Sequence, residues 1–298
     1  MISVASFTKK FDGRPALDNI SLNISDNSVY GLLGSNGSGK STLLRSIAGV
    51  YTPDGGDILA DGKTVFKNLE FKNSLFFVSD EPFYFAQSSL TEMSGFYKKF
   101  YTGWNENTYR RLCEVFPLDA SARIAGFSKG MKRQALIILS LSCSPRYLLL
   151  DEAFDGLDPV MRSALKKVIA EKIADSSMTV IVTSHNVGEF ENLCDTVAII
   201  HKGRKVLERE NSGDAGNIVK AQLAFAAEPD AGMFRDFDVL NFEMRGRLAT
   251  LTIRGGFGET QARLEAMNPL FLDILPTTLE EIFIYEMEAA GYGASKLI

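Results

Sequence analysis

The sequence predicts an α/β fold in which a mixed sheet core is followed by a small C-terminal α+β domain. Short apolar runs at 29–33 (VYGLL), 147–150 (YLLL) and 179–183 (TVIVT) are typical of buried parallel strands. A predicted helix from about Pro159 to Ala174 joins the last two runs. Strand, helix, strand is the pattern of a parallel sheet that is covered on its faces.

The N-terminal residues follow a different pattern, because apolar and polar residues alternate at 2–11 (ISVASFTKKF) and 20–24 (ISLNI). This alternation predicts an antiparallel β subdomain with one side facing solvent. Asp61-Gly62 predicts the tip of a further hairpin, since Asp-Gly favours tight turns between strands.

A helical subdomain is predicted over about residues 80–145, close to an aromatic-rich segment. Twelve of the 31 aromatic residues lie between Phe66 and Trp104. Ser89 and Glu92 have the spacing of a capping box, which predicts the start of a helix. One face of that helix would carry Leu90, Met93, Tyr97, Phe100 and Tyr101.

The composition changes at 210–217 (ENSGDAGN), which is typical of a linker. We therefore place one domain at 1–210 and a second at 218–298. The second domain has strand patterns at 220–226, 240–246 and 248–255, and helical patterns at 258–267 and 277–290.

Composition limits the possible functions. With 32 basic and 37 acidic residues the formal net charge is -5, which disfavours a nucleic acid as the main partner. The three cysteines are far apart, which suits a reducing cytosol and favours neither a disulfide framework nor a zinc site. The sequence shows no signal peptide, and no apolar run reaches the roughly 18 residues that cross a bilayer. A membrane channel would therefore belong to another polypeptide.

The strongest motif is GSNGSGKS at 34–41, which fits G-x-x-x-x-G-K-[ST] between a strand and a helix. Glycines allow a tight loop whose N–H groups surround phosphate oxygens, and the helix adds its positive end. Lys40 can reach the β- and γ-phosphates, and the Ser41 hydroxyl can coordinate Mg²⁺. A chance match has a frequency on the order of 1%. The nucleotide-binding candidates here are Ser35, Asn36, Gly37, Ser38, Gly39, Lys40, Ser41 and Thr42.

Two acidic residues, Asp151 and Glu152, follow the apolar run at 147–150. A carboxylate at the end of such a strand can hold the Mg²⁺ shell, which is the role expected for Asp151. Glu152 can orient and activate a water molecule as a general base. A solvated acidic turn is the alternative for this motif alone.

Taken in order, the motifs resemble the nucleotide-binding domain of ABC transporters, over about Ile2 to Leu207. GSNGSGKST resembles the Walker A motif of that family, and LLLDE resembles Walker B. FSKGM at 127–131 resembles the signature sequence, DGLD at 155–158 the D-loop, and TSH at 183–185 the switch-histidine loop. The resemblance implies the ABC type of P-loop NTPase fold, with ATP and Mg²⁺ as cofactors.

The resemblance also implies roles for single residues. Phe11 stands where the family stacks an aromatic ring against adenine, and His185 where it contacts the γ-phosphate and helps to hold the attacking water. Ser128 and the N–H of Gly130 would face ATP bound by an opposite subunit, so that binding closes a dimer and hydrolysis opens it. Structural alternatives stay open: Ser128 can be an ordinary helix cap, and His185 a hydrogen-bonded residue at a strand end.

The sequence departs from the family at Asp80, which stands where the Q-loop usually has Gln. Ionised Asp only accepts hydrogen bonds, whereas Gln accepts and donates. Asp80 can still ligate Mg²⁺ directly or through water, so it is a catalytic and metal candidate beside the metal candidates Ser41 and Asp151. In the signature, three departures resemble bacterial ABC-2-type exporter subunits: Phe127, Lys129 and Met131.

The partners that the resemblance implies are an integral-membrane permease and a second ATP-binding subunit, identical or paralogous. The chain would then lie in the cytoplasm on the inner face of the cell membrane. In the family the helical subdomain receives a coupling helix of the permease, and aromatic anchors suit such a groove. We therefore expect a minority of Phe83, Tyr84, Phe85 and Tyr97 to be exposed. Two alternatives remain, a non-transport ABC ATPase and an ATP switch regulated by a ligand of the C-terminal domain.

Overall fold

The apolar runs of the sequence form the centre of a six-stranded sheet. Three of its four inner strands contain only buried residues and run parallel to one another. Parallel strands present their carboxyl ends at the same edge of a sheet, so the segments that follow them can form one site. In spatial order the strands are β10 (Arg204–Glu210), β9 (Thr196–His201), β3 (Val29–Leu33), β8 (Thr179–Ser184), β7 (Tyr147–Asp151) and β6 (Leu75–Val78).

The computed structural model describes residues 1–81, 83–176, 178–190, 192–210, 218–289 and 291. The chain divides into two compact units, residues 1–208 and 209–298. The predicted linker at 210–217 lies outside the described residues, apart from its first residue.

The alternating N-terminal segments form a four-stranded antiparallel sheet. Asp61 and Gly62 connect its last two strands, which confirms the predicted hairpin. Apolar side chains of this sheet share a core with those of helix α1 (Lys40–Ile47), among them Phe7 and Leu43. The strand order is β2 (Arg14–Ile24), β1 (Ile2–Phe11), β4 (Gly55–Ala60) and β5 (Lys63–Thr64).

The predicted helical subdomain contains three α-helices, and a short helix precedes β6. The capping box at Ser89 and Glu92 is confirmed, with both reciprocal hydrogen bonds present. The predicted apolar face was too long, because the helix ends at Tyr97 and leaves Phe100 and Tyr101 beyond it. The helices are α2 (Leu69–Asn73), which was not predicted, α3 (Leu90–Tyr97), α4 (Glu106–Val115) and α5 (Lys129–Ser142).

Helix α6 (Pro159–Ser176) joins β7 to β8, which confirms the predicted strand–helix–strand unit. The Asp158 carboxylate accepts hydrogen bonds from the N–H groups of Val160 and Met161 at 2.9 and 3.0 Å, so it caps this helix. Among the described residues, no helix combines the length and apolar character needed to span a membrane.

The C-terminal unit is a four-stranded antiparallel sheet with two helices. The three predicted strands and both predicted helices are confirmed, and one edge strand, β14, was missed. Alternate side chains of its strands, including Leu223 and Leu251, pack with Leu264 in a separate apolar core. The elements are β11 (Ile218–Ala224), β12 (Asp238–Arg245), β13 (Leu248–Arg254), α7 (Phe257–Glu265), β14 (Phe271–Leu275) and α8 (Leu279–Ala289).

Leu251→Ala is expected to destabilise the C-terminal unit by about 2–5 kcal/mol, because it leaves a cavity in a closed core. The measurement is amide hydrogen exchange in β11 and β13 of the full chain. Leu270→Ala is the matched control: Leu270 is 73% exposed, whereas Leu251 is fully buried. We expect the control to change the opening free energy by less than about 0.5 kcal/mol. Equal effects of the two substitutions would contradict this packing.

Candidate functional site

The segments that follow β3, β6, β7 and β8 border one open cavity of about 550 Å³. Of the predicted site residues, it is lined by residues 36–42 together with Asp80, Glu152 and His185. Sequence reasoning had connected these four segments only through their order along the chain. The structure brings the four segments to one edge of the sheet, where a nucleoside triphosphate can contact all of them.

The phosphate loop bends sharply where α1 begins. Gly39 has a φ of 112°, and a Cβ at this position would lie 2.9 Å from the carbonyl oxygen of Ala16. Only glycine fits here, because both the backbone angle and the close approach exclude a side chain. The loop is closed by the Ser38 N–H, which donates to the Ser35 carbonyl at 3.1 Å. Among the described residues, the buried Ser38 hydroxyl has no hydrogen-bond partner.

Lys40 folds back over the loop that it follows. Its ammonium group donates to the carbonyl oxygens of Gly34 at 2.7 Å and Ser35 at 3.1 Å. It also lies 3.4 Å from a carboxylate oxygen of Glu152, and its side chain is only 5% exposed. An ammonium group held this way places a positive charge at the bottom of an anion-binding loop.

Asp151 and Ser41 form the candidate metal site. One Asp151 oxygen accepts hydrogen bonds from the hydroxyls of Ser41 at 2.9 Å and Thr183 at 2.8 Å. The other oxygen is buried and has no hydrogen-bond partner among the described residues. Burial raises the pKa of Asp151, and the two hydroxyls oppose that rise. A desolvated carboxylate with a spare oxygen beside a hydroxyl fits Mg²⁺, which is bound through one or two carboxylates together with substrate phosphates.

Glu152 has an unusual backbone. Its φ is 50°, in the left-handed region that few residues other than glycine adopt. Its N–H donates to the Thr183 hydroxyl at 3.0 Å, which helps to hold this conformation. One carboxylate oxygen then faces Lys40, and the other lies 3.0 Å from Nδ1 of His185. The turn therefore directs the predicted base into the cavity beside the predicted phosphate ligand.

Five predicted residues do not line this cavity: Ser35, Asp151, Phe11, Ser128 and Gly130. Phe11 lies at the end of β1, 42% exposed, with its ring edge-on to Tyr51 at 5.2 Å between centroids. Ser128 caps α5, since its hydroxyl accepts from the Met131 N–H at 3.2 Å. A Cβ on Gly130 would lie 2.5 Å from the carbonyl oxygen of Gly156, so this glycine also has a packing role within the chain.

Asp80 lines the cavity, but its carboxylate is already engaged. One oxygen accepts a hydrogen bond from Nη2 of Arg133 at 2.9 Å. A guanidinium group therefore compensates the negative charge that Asp80 brings to the cavity.

Sequence reasoning missed several residues of the site. Thr183 stood in a recognised motif, but the pattern gave no sign that its hydroxyl links Asp151 to Glu152. Arg133 lay inside an apparently ordinary helix. The remaining lining residues come from the start of β2, from the turn between β9 and β10, and from the D-loop: Pro15, Ala16, Lys202, Gly203 and Asp155.

Comparison with known proteins is consistent with this geometry. Residues 17–155 match the ABC transporter family. The bacitracin transport ATP-binding protein BcrA of Bacillus licheniformis is 30% identical, over 94% of this chain and 94% of that protein. The ABC transporter ATP-binding protein YtrB of Bacillus subtilis (strain 168) is 25% identical, over 95% of this chain and 97% of that protein.

Solved structures show the same fold. An ATP-binding subunit of an ABC transporter has a TM-score of 0.65 at 26% identity, covering 71% of this chain and 90% of that chain. A bacterial Atm1-family ABC exporter with ATP bound has a TM-score of 0.63 at 20% identity, covering 70% of this chain and 38% of that chain. The second likeness bears on the fold alone. Fold, motifs and relatives agree, and the chain belongs to the ABC transporter family as an ATP-binding protein with ATPase function.

Proposed function

We propose that the chain is the motor of an ABC-2-type exporter, acting as a dimer beneath a separate integral-membrane permease. The observation that carries the proposal is the Glu152 carboxylate, held between Lys40 and His185 at the edge of the phosphate loop. Transport is supported by BcrA, a bacitracin transport protein that matches along nearly the whole chain. Export is supported by the Nod factor export ATP-binding protein I of Rhizobium meliloti (strain 1021), which is 32% identical over 70% of this chain. The working position would be the cytoplasmic face of the membrane.

In this proposal ATP lies along the phosphate loop, with Phe11 stacked against adenine. The ammonium group of Lys40 leaves the carbonyl oxygens of Gly34 and Ser35 for the β- and γ-phosphates. Residues 35–39 contribute backbone N–H groups, and Ser38 and Thr42 contribute hydroxyls. Ser41 and Asp151 would hold Mg²⁺, which supplies charge neutralisation on the phosphates when bound. The metal role predicted for Asp80 is not retained, since Arg133 already engages its carboxylate.

Hydrolysis needs a base that faces the γ-phosphate end of the loop. Glu152 would accept a proton from the attacking water, and the water oxygen would displace ADP from the γ-phosphorus. His185 would orient both the Glu152 carboxylate and the water, because its Nδ1 already lies 3.0 Å from the carboxylate. The strained backbone of Glu152 keeps the carboxylate in that position.

The second subunit would supply its own Ser128 and Gly130 to this ATP. Ser128 is exposed at the N-terminus of a 14-residue helix, where unpaired N–H groups favour an anion. Because these two residues do not line the cavity of their own chain, they are free to contact the triphosphate of a neighbour. ATP would then close the dimer, and hydrolysis would release it.

The permease would contact an aromatic patch formed by Phe83, Phe85, Phe96 and Phe100. Consecutive rings of this patch are 5.4, 5.0 and 4.8 Å apart between centroids. Phe83 and Phe85 are 62% and 47% exposed, whereas Tyr84 and Tyr97 are half-buried. From the sequence, a minority of Phe83, Tyr84, Phe85 and Tyr97 was expected to be exposed. Two of these four rings are exposed, so the expectation was slightly low. An exposed aromatic cluster of this kind suits a helix-in-groove contact.

Co-purification from membranes tests this function. The tagged full chain, expressed in its source cells, is expected to retain a multi-spanning membrane protein through detergent extraction. The double substitution Phe85→Ala/Phe100→Ala should reduce that retention at least about tenfold without changing ATPase activity, because interface aromatics are frequent hot spots. Phe257→Ala removes a 49% exposed ring elsewhere and is the control. Co-purification of ribosomes or DNA in place of a membrane protein would contradict the proposal. Retention of the permease by the double variant at the level of the unsubstituted chain would also contradict it.

A further inference from the structure

A buried arginine lies beside the predicted site, in the second turn of α5. Arg133 is 1% exposed, although its guanidinium group carries a positive charge. Its Nη1 donates to the carbonyl oxygens of Ser79 at 2.9 Å and Asp151 at 3.3 Å. Its Nη2 donates to the Asp80 carboxylate at 2.9 Å. Among the described residues, Asp80 is the one carboxylate in ion-pair contact with this cation.

These contacts connect three parts of the site. Ser79 and Asp80 follow β6, Asp151 ends β7, and Arg133 lies five residues after Ser128 on the same helix. The first turn of α5 is fastened to the same edge by a second ion pair, because Lys129 lies 2.5 Å from the Asp155 carboxylate. Side-chain ion pairs and hydrogen bonds therefore contribute to the position of the Ser128 helix tip relative to Glu152.

The two partners have unequal surroundings. Arg133 is fully enclosed, whereas the Asp80 side chain is 49% exposed. Loss of Asp80 leaves a buried positive charge without its counter-ion, which is the unfavourable case for a buried ion pair. Loss of Arg133 leaves a carboxylate that water can still reach. Replacing both residues removes both charges, and such replacements are often nearly neutral.

We propose that Asp80 and Arg133 are a pair of positioning residues that fix the Ser128 end of α5 against the ends of β6 and β7. Asp80 acts as the counter-ion of Arg133 and does not ligate Mg²⁺. This inference rests on the proposed function, because it assigns the Ser128 helix tip to the triphosphate of a neighbouring subunit.

The test is a double-mutant cycle in the full chain, with wild type, Asp80→Ala, Arg133→Met and the double variant. Three quantities are measured: kcat for ATP, the Mg²⁺ concentration that gives half-maximal rate, and the Tm. We expect each single substitution to lower kcat about tenfold and the double variant to be no worse than Asp80→Ala, since contacting residues couple. The half-saturating Mg²⁺ concentration should change by less than about twofold, and the double variant should melt above Asp80→Ala.

Two results would overturn the proposal. One is a rise of about tenfold or more in the half-saturating Mg²⁺ concentration for Asp80→Ala alone, as loss of a metal ligand requires. The other is a double variant whose loss in kcat equals the product of the single losses, which indicates independent residues. Should Asp80→Ala not fold, Asp80→Asn takes its place, because it keeps the acceptor oxygen and removes the charge. With Asp80→Asn, the same two results would contradict the proposed pairing of Asp80 with Arg133.

Glu81→Ala is the matched control, since it removes the same charge one residue further along, and the exposed Glu81 side chain forms no ion pair with the other described residues. We expect its kcat and Tm to equal those of wild type. An inactive wild-type chain would count against the proposed function. The Tm values of the four chains then test the proposed pairing of Asp80 with Arg133 without any measurement of activity. Additive changes in Tm refute the pairing, and a double variant that melts above Asp80→Ala supports it.

Discussion

Lys40→Ala is expected to abolish productive ATP binding, with an increase in Kd of at least about 100-fold. The substitution removes an ammonium group that is held inside the phosphate loop, where it contacts the carbonyl oxygens of Gly34 and Ser35. Hydrogen bonds from a charged donor to phosphate oxygens are about twice as strong as neutral ones, and at this site water cannot replace them fully. Fluorescent-nucleotide titration of the purified chain measures the change.

Lys202→Ala is the control for this effect. Lys202 carries the same charge and lines the same cavity, but it is exposed and lies on the turn between β9 and β10. We expect it to weaken ATP binding by less than about fivefold, as is usual for an exposed charge. If Lys40→Ala binds ATP as tightly as Lys202→Ala, the loop does not hold the triphosphate in the proposed way.

Glu152→Gln is expected to keep ATP binding and to lower kcat by about 100-fold or more. Glutamine has the shape of glutamate and can keep the contact with His185, but it cannot accept a proton from water at neutral pH. Its neutral amide also removes a negative charge that lies 3.4 Å from the Lys40 ammonium group. ATP should therefore persist in the site and hold two chains together.

Gel filtration with and without MgATP detects that dimer, and phosphate release measures turnover. Adding Lys40→Ala to Glu152→Gln should abolish the dimer, because bound ATP is what holds the two chains together. Glu92→Gln is the control, since glutamine can replace glutamate in the capping box of α3. Near-normal turnover of the Glu152→Gln variant would show that Glu152 is not the general base.

Local patterns accounted for much of the fold and for the phosphate loop. The glycine spacing of 34–39, the apolar runs of β3, β7 and β8, and the Ser89–Glu92 cap act over a few residues. Such features depend on backbone angles and on short-range periodicity, which the order of residues specifies directly. The edge strand β14 escaped prediction because only its pairing with β11 makes it a strand.

Contacts between distant residues needed the folded chain. Arg133 and Asp80 are 53 positions apart, and Thr183 and Asp151 are 32 apart. No composition or spacing reveals that such groups meet, since their approach depends on how α5 and the strand ends pack together. The same holds for the exposure of Phe83 and Phe85, which a count of aromatic residues leaves undetermined.

The sequence by itself determined the family, the phosphate loop, and the acids that end β7, because these are chemical types at fixed local spacing. Tertiary structure alone decided the surroundings of each acid. It gave Asp151 two hydroxyl donors and a spare oxygen, turned Glu152 toward Lys40 through a left-handed backbone angle, and neutralised Asp80 with a buried cation. The physical reason is that the charge, solvation and direction of a carboxylate depend on the groups around it.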